Sequence, residues 1–242
     1  MKLAIAQTQP SKGAIEENIR HHQSWVLKAA NDSADLIVFP ELSLTSYEPS
    51  LAANLAMTIK DSRLAVFQTL SDEHHISIAL GAPTRKNNKI HISMLIFRPN
   101  KDVKVYHKQY LHADEKPFFD SGSEQLVFNC ANEVIAPAIC YEALQPEHSK
   151  LASTAGATLY LTSVAKPIKG VEAAYTHFPI IASKYKMPVI MCNSIGPCDD
   201  FISAGASGVW HSNGTLLAHL NTEEEEGMLL FDTDRLSVQL IN

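Results

Sequence analysis

A carboxylate, an ammonium and a thiol stand at comparable places in this chain. Glu41 follows the apolar run Leu36–Phe39 and Pro40; Lys108 follows Val103–His107; Cys140 ends the apolar run of the stretch V-I-A-P-A-I-C-Y-E at 134–142. Together these three groups have the parts of a covalent hydrolase. A thiol needs a base to become a nucleophile, and a carboxylate serves when burial raises its pKa. Attack on a carbonyl or nitrile carbon builds negative charge on oxygen or nitrogen. A lysine ammonium and the backbone N–H after the nucleophile can hold that charge. Singly, each residue has a plainer role: Glu41 as a loop or capping carboxylate, Lys108 as a solvated lysine, Cys140 as core packing.

The elements that must position these groups follow from periodicity. Apolar runs between polar flanks read as strands buried on both faces, at Lys2–Gln7, Leu36–Phe39, Ile76–Ala82, Val134–Cys140, Ala157–Ser163 and Pro188–Ile195. Further strands are expected at Ile90–Phe97, Val103–His107, Leu126–Cys130, Gly208–His211, Leu216–Leu220 and Gly227–Thr233. Helical spacing marks Ile15–Ala30, Asp61–His75, Pro146–Ala155 and Val171–Tyr185. Asn213-Gly214 signals a hairpin, and Glu223–Glu226 reads as a solvated turn. In open α/β sheets, catalytic groups collect at the C-terminal ends of strands. Adjacent parallel strands would bring Glu41, Lys108 and Cys140 within reach of one another. The helix expected from Pro146 lies just beyond Cys140, and a thiol near a helix N-terminus can have a depressed pKa. Two stretches, about 2–97 and 103–195, share a β-α-β grammar with no low-complexity linker between them. One α/β domain over residues 1–242, with internally similar halves, is therefore expected.

Composition narrows the function classes. The chain is 45% hydrophobic and 19% charged, with a net charge of −6, a balance that gives no support for a nucleic-acid partner, which usually needs a basic patch. No apolar run is long enough for a membrane span, and Gln7 and Gln9 interrupt the N-terminal apolar stretch. Four cysteines without C-x-x-C spacing indicate neither a disulfide framework nor a zinc site, so a reduced, cytoplasmic protein is expected. The 11 histidines contain no H-E-x-x-H pattern, and G-A-S-G at 205–208 is not a serine nucleophile elbow. Neither metal nor cofactor is expected.

The motifs F-P-E-L-S-L-T-S-Y around Glu41, Y-H-K-Q-Y-L around Lys108 and A-I-C-Y-E-A-L-Q-P-E around Cys140 occur in that order. On these the chain resembles the nitrilase superfamily of carbon-nitrogen hydrolases. G-A-T-L-Y-L-T-S, M-C-N-S-I-G and S-A-G-A-S-G-V-W-H-S-N-G extend the likeness over almost the whole sequence. The resemblance implies a four-layer α-β-β-α sandwich, with Glu41 as general base, Lys108 as oxyanion stabiliser and Cys140 as nucleophile. It further implies a second glutamate after the lysine, best matched by Glu115, and an oxyanion hole completed by the Tyr141 N–H. Members usually pair, so a homodimer or higher homo-oligomer is implied. The chain departs from the common pattern at Ser46, where glycine is frequent. It departs again at Glu142 and Ala143, where Asp and Arg are common, and at His107, where Arg is common. Tyr47, Glu142, Ser163 and Lys166 are expected to border the substrate pocket, Lys166 or Lys169 offering a cation to a carboxylate-bearing amide. The expected reaction is hydrolysis of a small amide to an acid and ammonia. An N-carbamoyl hydrolase, a nitrilase and a catalytically silent binding module are the alternatives.

Overall fold

Alternation within the buried strands sorts the chain into layers. The computed structural model describes residues 1–221 and 225–241. The chain begins with β1 (Lys2–Gln7), α1 (Ile15–Asn31), β2 (Leu36–Val38), the short α2 (Ala52–Leu55) and α3 (Ala65–His74). Then come β3 (Ser77–Lys86), β4 (Lys89–Arg98), β5 (Lys101–His107), β6 (Phe128–Cys130) and β7 (Glu133–Ile139). A 3₁₀ turn (Cys140–Leu144) leads to α4 (Pro146–Thr154), β8 (Leu159–Val164), α5 (Ile168–Tyr185) and β9 (Val189–Asn193). The remaining strands are β10 (Ile195–Cys198), β11 (Phe201–Ala204), β12 (Gly208–Trp210), β13 (Leu216–His219), β14 (Gly227–Asp232) and β15 (Ser237–Ile241).

Two large sheets result. One has the order β15-β14-β1-β2-β3-β4-β5 and the other β13-β12-β9-β8-β7-β6. The central trios β1-β2-β3 and β7-β8-β9 are parallel, and the flanking pairs are antiparallel. Leu3, Ile5 and Val38 meet Ile135, Ile139, Leu161 and Ile190 between the sheets. The alternate residues Ala4, Ala6 and Ile37 pack on Ile19 and Val26 of α1 and Phe67 of α3. On the far side Ala136, Ala138 and Tyr160 pack on Ala152 of α4 and Phe178 of α5. The outcome is the expected α-β-β-α sandwich. Among the described residues no helix is long and apolar enough to cross a membrane.

Several expectations need correction. The strand ends carrying Glu41 and Cys140 are not neighbours in one sheet: β2 and β7 belong to opposite sheets, and β3 and β4 separate β2 from β5. The second of the two similar stretches does not match one sheet either: most of β5 falls within 103–195 yet β5 belongs to the first sheet, which β14 and β15 return to complete. The Asp61–His75 helix is a 3₁₀ turn followed by α3, with the Asp61 side chain accepting from Arg63 N–H at its start. At Ile195, where the expected Pro188–Ile195 strand stops, a further strand begins, and Ile195–Cys198 pairs with Phe201–Ala204 as a hairpin. The Asn213-Gly214 signal does join β12 to β13. Of the Glu223–Glu226 turn, Glu223 and Glu224 lie outside the described residues, while Glu226 is exposed and bonds His21 at 2.9 Å.

Candidate active site

Glu41 leaves β2 through a corner that neighbouring strands hold tightly. Phe39 N–H donates to Ala79 O at 2.9 Å and Leu44 N–H to Gly81 O at 3.0 Å. The Ser43 hydroxyl accepts from Gly81 N–H at 3.2 Å and bonds buried His22 at 2.9 Å. Gly81 is required here: a Cβ at that position would stand 2.3 Å from Leu42 N and 2.5 Å from Pro40 O. Leu42 and Ser46 adopt φ of +51° and +63°, so Ser46 occupies the left-handed conformation that glycine takes without strain.

Lys108 leaves β5 with its N–H donating to Ile92 O at 2.9 Å, and its side chain is fully buried. The ammonium donates to Glu41 Oε1 at 2.7 Å and to Glu115 Oε1 at 2.6 Å. Tyr47 OH donates to Glu115 Oε1 at 3.0 Å and His112 N–H to Glu115 Oε2 at 2.8 Å. Burial opposes the lysine's charge, but the two carboxylates outweigh it and hold Lys108 protonated, above the ordinary lysine range. Burial and the nearby carboxylates likewise raise the Tyr47 hydroxyl, which stays protonated.

Cys140 arrives from the opposite sheet, at φ +50° where β7 breaks into the 3₁₀ turn. The residue keeps partial exposure, whereas Glu41, Lys108 and Glu115 are buried. Its Sγ lies 3.7 Å from Ala165 O. The helix N-terminus expected to depress its pKa does not prevail. The 3₁₀ turn separates Cys140 from α4, and burial followed by the Glu41 carboxylate pushes the thiol up to about 11. Burial also raises Glu41, partly offset by Lys108. Glu41 Oε2 is buried and has no hydrogen-bond partner among the described residues. A carboxylate with one oxygen held by an ammonium and the other unpaired, beside a neutral thiol, is arranged to accept that thiol's proton.

The carbon-nitrogen hydrolase family matches this chain over residues 2–242. The chain belongs to that family. The 2-oxoglutaramate amidase of Bacillus subtilis is 26% identical over 92% of this chain and 87% of its own length. The glutamine-dependent NAD(+) synthetase of Thermotoga maritima is 23% identical over the whole chain, which spans 44% of that relative. A mutant of the amidase from Nesterenkonia sp. AN1, solved with acrylamide added at its active-site cysteine, superposes with a TM-score of 0.88 at 22% identity. That match covers 96% of this chain and 92% of the amidase, and it shows the shared fold.

Within this carbon-nitrogen hydrolase the other sequence-predicted residues divide. Tyr47 touches Glu115 and so belongs to the cluster. Glu142 lies in a hydrogen-bond network between a strand and a loop. It is fully buried; Oε1 accepts from Ile139 N–H and Tyr106 OH, both at 2.7 Å, and Oε2 from Gln109 N–H at 2.7 Å and Tyr110 N–H at 3.3 Å. It therefore ties the strand before Cys140 to the loop after Lys108. Ser163 is also structural, its hydroxyl donating to Phe39 O at 2.8 Å across the sheets. Tyr141 is half-buried, its ring 5.2 Å from His112 edge to face, and Lys169 is exposed while Lys166 is buried. The supporting groups His22, Tyr106 and His148 escape the sequence reading. One signal for His22 exists: it falls four residues after Asn18 on the apolar face of α1, and a polar pair there demands partners.

Proposed function

We propose that this chain hydrolyses a small linear amide to a carboxylic acid and ammonia, through a thioester on Cys140. The observation that carries this reading is the Glu41 carboxylate shared between Lys108 and an unpaired, buried oxygen beside the thiol. Because the thiol is held at about 11, it is not ionised in advance, and its attack requires Glu41 to take the proton. As Sγ bonds the amide carbon, the carbonyl electron pair moves to oxygen. Lys108 and the Tyr141 N–H hold that oxyanion; the first N–H groups of a helical turn lie outside its own hydrogen-bond ladder. Glu41 then returns the proton to nitrogen, the C–N bond breaks and ammonia leaves. Water next gives a proton to Glu41 and attacks the thioester, and the thiol is re-formed as the acid departs. Glu115, fixed by Tyr47 and His112, keeps the Lys108 ammonium in place throughout.

Two of the relatives bear names that fit an amide substrate, an amidase and a glutamine-dependent synthetase. The test is ammonia release from a panel of small amides, ω-amides, N-carbamoyl compounds and nitriles. Wild type should release ammonia from amides, and Cys140→Ala should release none while keeping its far-UV circular dichroism. Hydrolysis at the wild-type rate by Cys140→Ala would remove the mechanism. Release only from carbamoyl compounds or nitriles would move the substrate class.

A further inference from the structure

Four buried polar side chains behind the site take no part in the proposed chemistry, yet they form one continuous chain of hydrogen bonds. Tyr160 OH on β8 meets His148 Nδ1 at 2.7 Å; His148 Nε2, on α4, meets Tyr106 OH on β5 at 2.7 Å; Tyr106 OH donates to Glu142 Oε1 at 2.7 Å. Gln109 Nε2 also donates to the Tyr106 oxygen, at 3.0 Å. Tyr106, Glu142, His148 and Tyr160 are each no more than 1% exposed. Apolar side chains of similar volume would fill this space without desolvating two hydroxyls and an imidazole. What the polar set adds is direction.

The protons in the chain can be placed. An ionised Glu142 only accepts, so Tyr106 gives its one proton to Oε1. The Tyr106 oxygen must then accept from His148, which puts the imidazole proton on Nε2. Burial keeps that imidazole neutral, its pKa pushed down to about 4, so Nδ1 is an acceptor and Tyr160 donates to it. Every bond thus points toward the carboxylate. Reversing the chain leaves the Tyr160 proton without an acceptor, because among the described residues His148 is its one hydrogen-bond partner. A proton placed on Oε2 instead would face the Gln109 N–H at 2.7 Å. The chain therefore favours one charge state and one orientation of Glu142.

Glu142 passes that orientation to the reacting residues. Oε1 accepts from the N–H of Ile139, the residue before Cys140, and Oε2 from the N–H of Gln109, the residue after Lys108. Because β5 and β7 lie in different sheets, no strand ladder sets the spacing between Lys108 and Cys140. We propose that Tyr106, His148 and Tyr160 are positioning residues: their one-way hydrogen-bond chain aims the Glu142 carboxylate, which sets the spacing between the Cys140 thiol and the Lys108 ammonium. This rests on the roles given to Cys140 and Lys108 above. Reacting groups displaced by about 1 Å lose roughly 10²-fold in rate, so removal of a distant link reaches the chemistry.

The experiment applies two readouts to Tyr160→Phe, His148→Gln and His148→Leu: steady-state hydrolysis of a small amide, and alkylation of Cys140 by iodoacetamide, followed by mass spectrometry. His148→Leu should lower kcat about tenfold or more with KM nearly unchanged. It should also slow Cys140 alkylation, because a thiol displaced from Glu41 loses its base. His148→Gln keeps an N–H for Tyr106 and a carbonyl for Tyr160, and should recover part of both rates. Tyr160→Phe removes only the last hydroxyl of the chain, and should lower both rates as well. Wild-type kcat and alkylation in folded His148→Leu, with the melting temperature alone reduced, would make the chain purely structural and overturn the proposal. Equal losses in His148→Gln and His148→Leu would overturn the hydrogen-bond chain as their cause. Should His148→Leu fail to fold, Tyr160→Phe decides by the same two readouts. A wild type that hydrolyses no amide overturns the amidase reading alone, and the alkylation rates still decide this one.

Discussion

Cys140, Glu41 and Glu142 show how burial sets the work a titratable group can do. The thiol is pushed up to about 11 and the Glu41 carboxyl is raised as well, so neither holds its charge freely. The thiol then needs a base to take its proton, which suits general-base attack better than a preformed thiolate. Glu142 has the same chemistry and a different task. Burial raises it from its ordinary value to about 7, although four donors favour its charged form. Its folded-state pKa exceeds its unfolded one, so the folded chain binds the extra proton between about pH 4.5 and 7. The stability this carboxyl contributes is fully present below that window and is lost as pH rises through about 7. Glu142→Gln removes the titration and replaces an acceptor facing backbone N–H groups with a donor, a loss of about 1–3 kcal/mol. Denaturant unfolding of both proteins at pH 5 and pH 8 should show the wild-type advantage largest at pH 5. An advantage that grows toward pH 8 would contradict the assignment.

At the scale of elements, the site is made of strand ends bent out of regular geometry. Leu42, Ser46 and Cys140 all hold positive φ without being glycine, a conformation that costs about 1–3 kcal/mol each and persists only where surroundings enforce it. The enforcement is visible at β3, whose Gly81 lets the Pro40–Leu42 corner press against the sheet. Gly81→Ala puts a methyl where backbone already lies, so the corner must move and carry Glu41 with it. Overpacking of this kind costs about 1–3 kcal/mol, and a displacement near 1 Å can lower catalysis roughly 10²-fold. Thermal melts and kcat on a common amide should both fall; an unchanged kcat in a folded Gly81→Ala protein would show that the corner does not fix the base. Much of this was legible beforehand. The apolar runs located β1, β2, β7, β8 and β9, and the polar breaks after them located Glu41 and Cys140. The β10–β11 hairpin was not, because Gly196-Pro197 and Asp199-Asp200 carry turn chemistry that masks two four-residue strands. The network around Glu142 was only partly legible, because Tyr106 and the Gln109 and Tyr110 N–H groups reach it by tertiary contact and only the Ile139 N–H, three residues away, is local.

At the scale of the molecule, the sandwich itself assembles the site. Periodicity says which face of a strand is buried but not which sheet receives the strand, so adjacent strand ends in one sheet were as compatible with the sequence as facing ends in two. The chain uses facing ends: β2 and β5 of one sheet deliver Glu41 and Lys108, and β7 of the other delivers Cys140. Cross-sheet bonds pin the two surfaces close to the site. Ser163 Oγ donates to Phe39 O at 2.8 Å, and the Cys192 thiol approaches Ala6 O at 3.2 Å and Val38 O at 3.4 Å. A site shared between sheets cannot outlive their packing. Leu161, fully buried on β8 between the sheets, tests this: Leu161→Ala should cost about 2–5 kcal/mol through lost burial and a cavity. In both wild type and Leu161→Ala, Cys140-dependent amide hydrolysis and far-UV circular dichroism should fall over the same denaturant range, displaced to lower concentration in the variant. Activity vanishing well before the circular dichroism would mean that the strand ends part while the sheets remain packed. The catalytic geometry would then reside in the local corners and not in the closure of the sandwich.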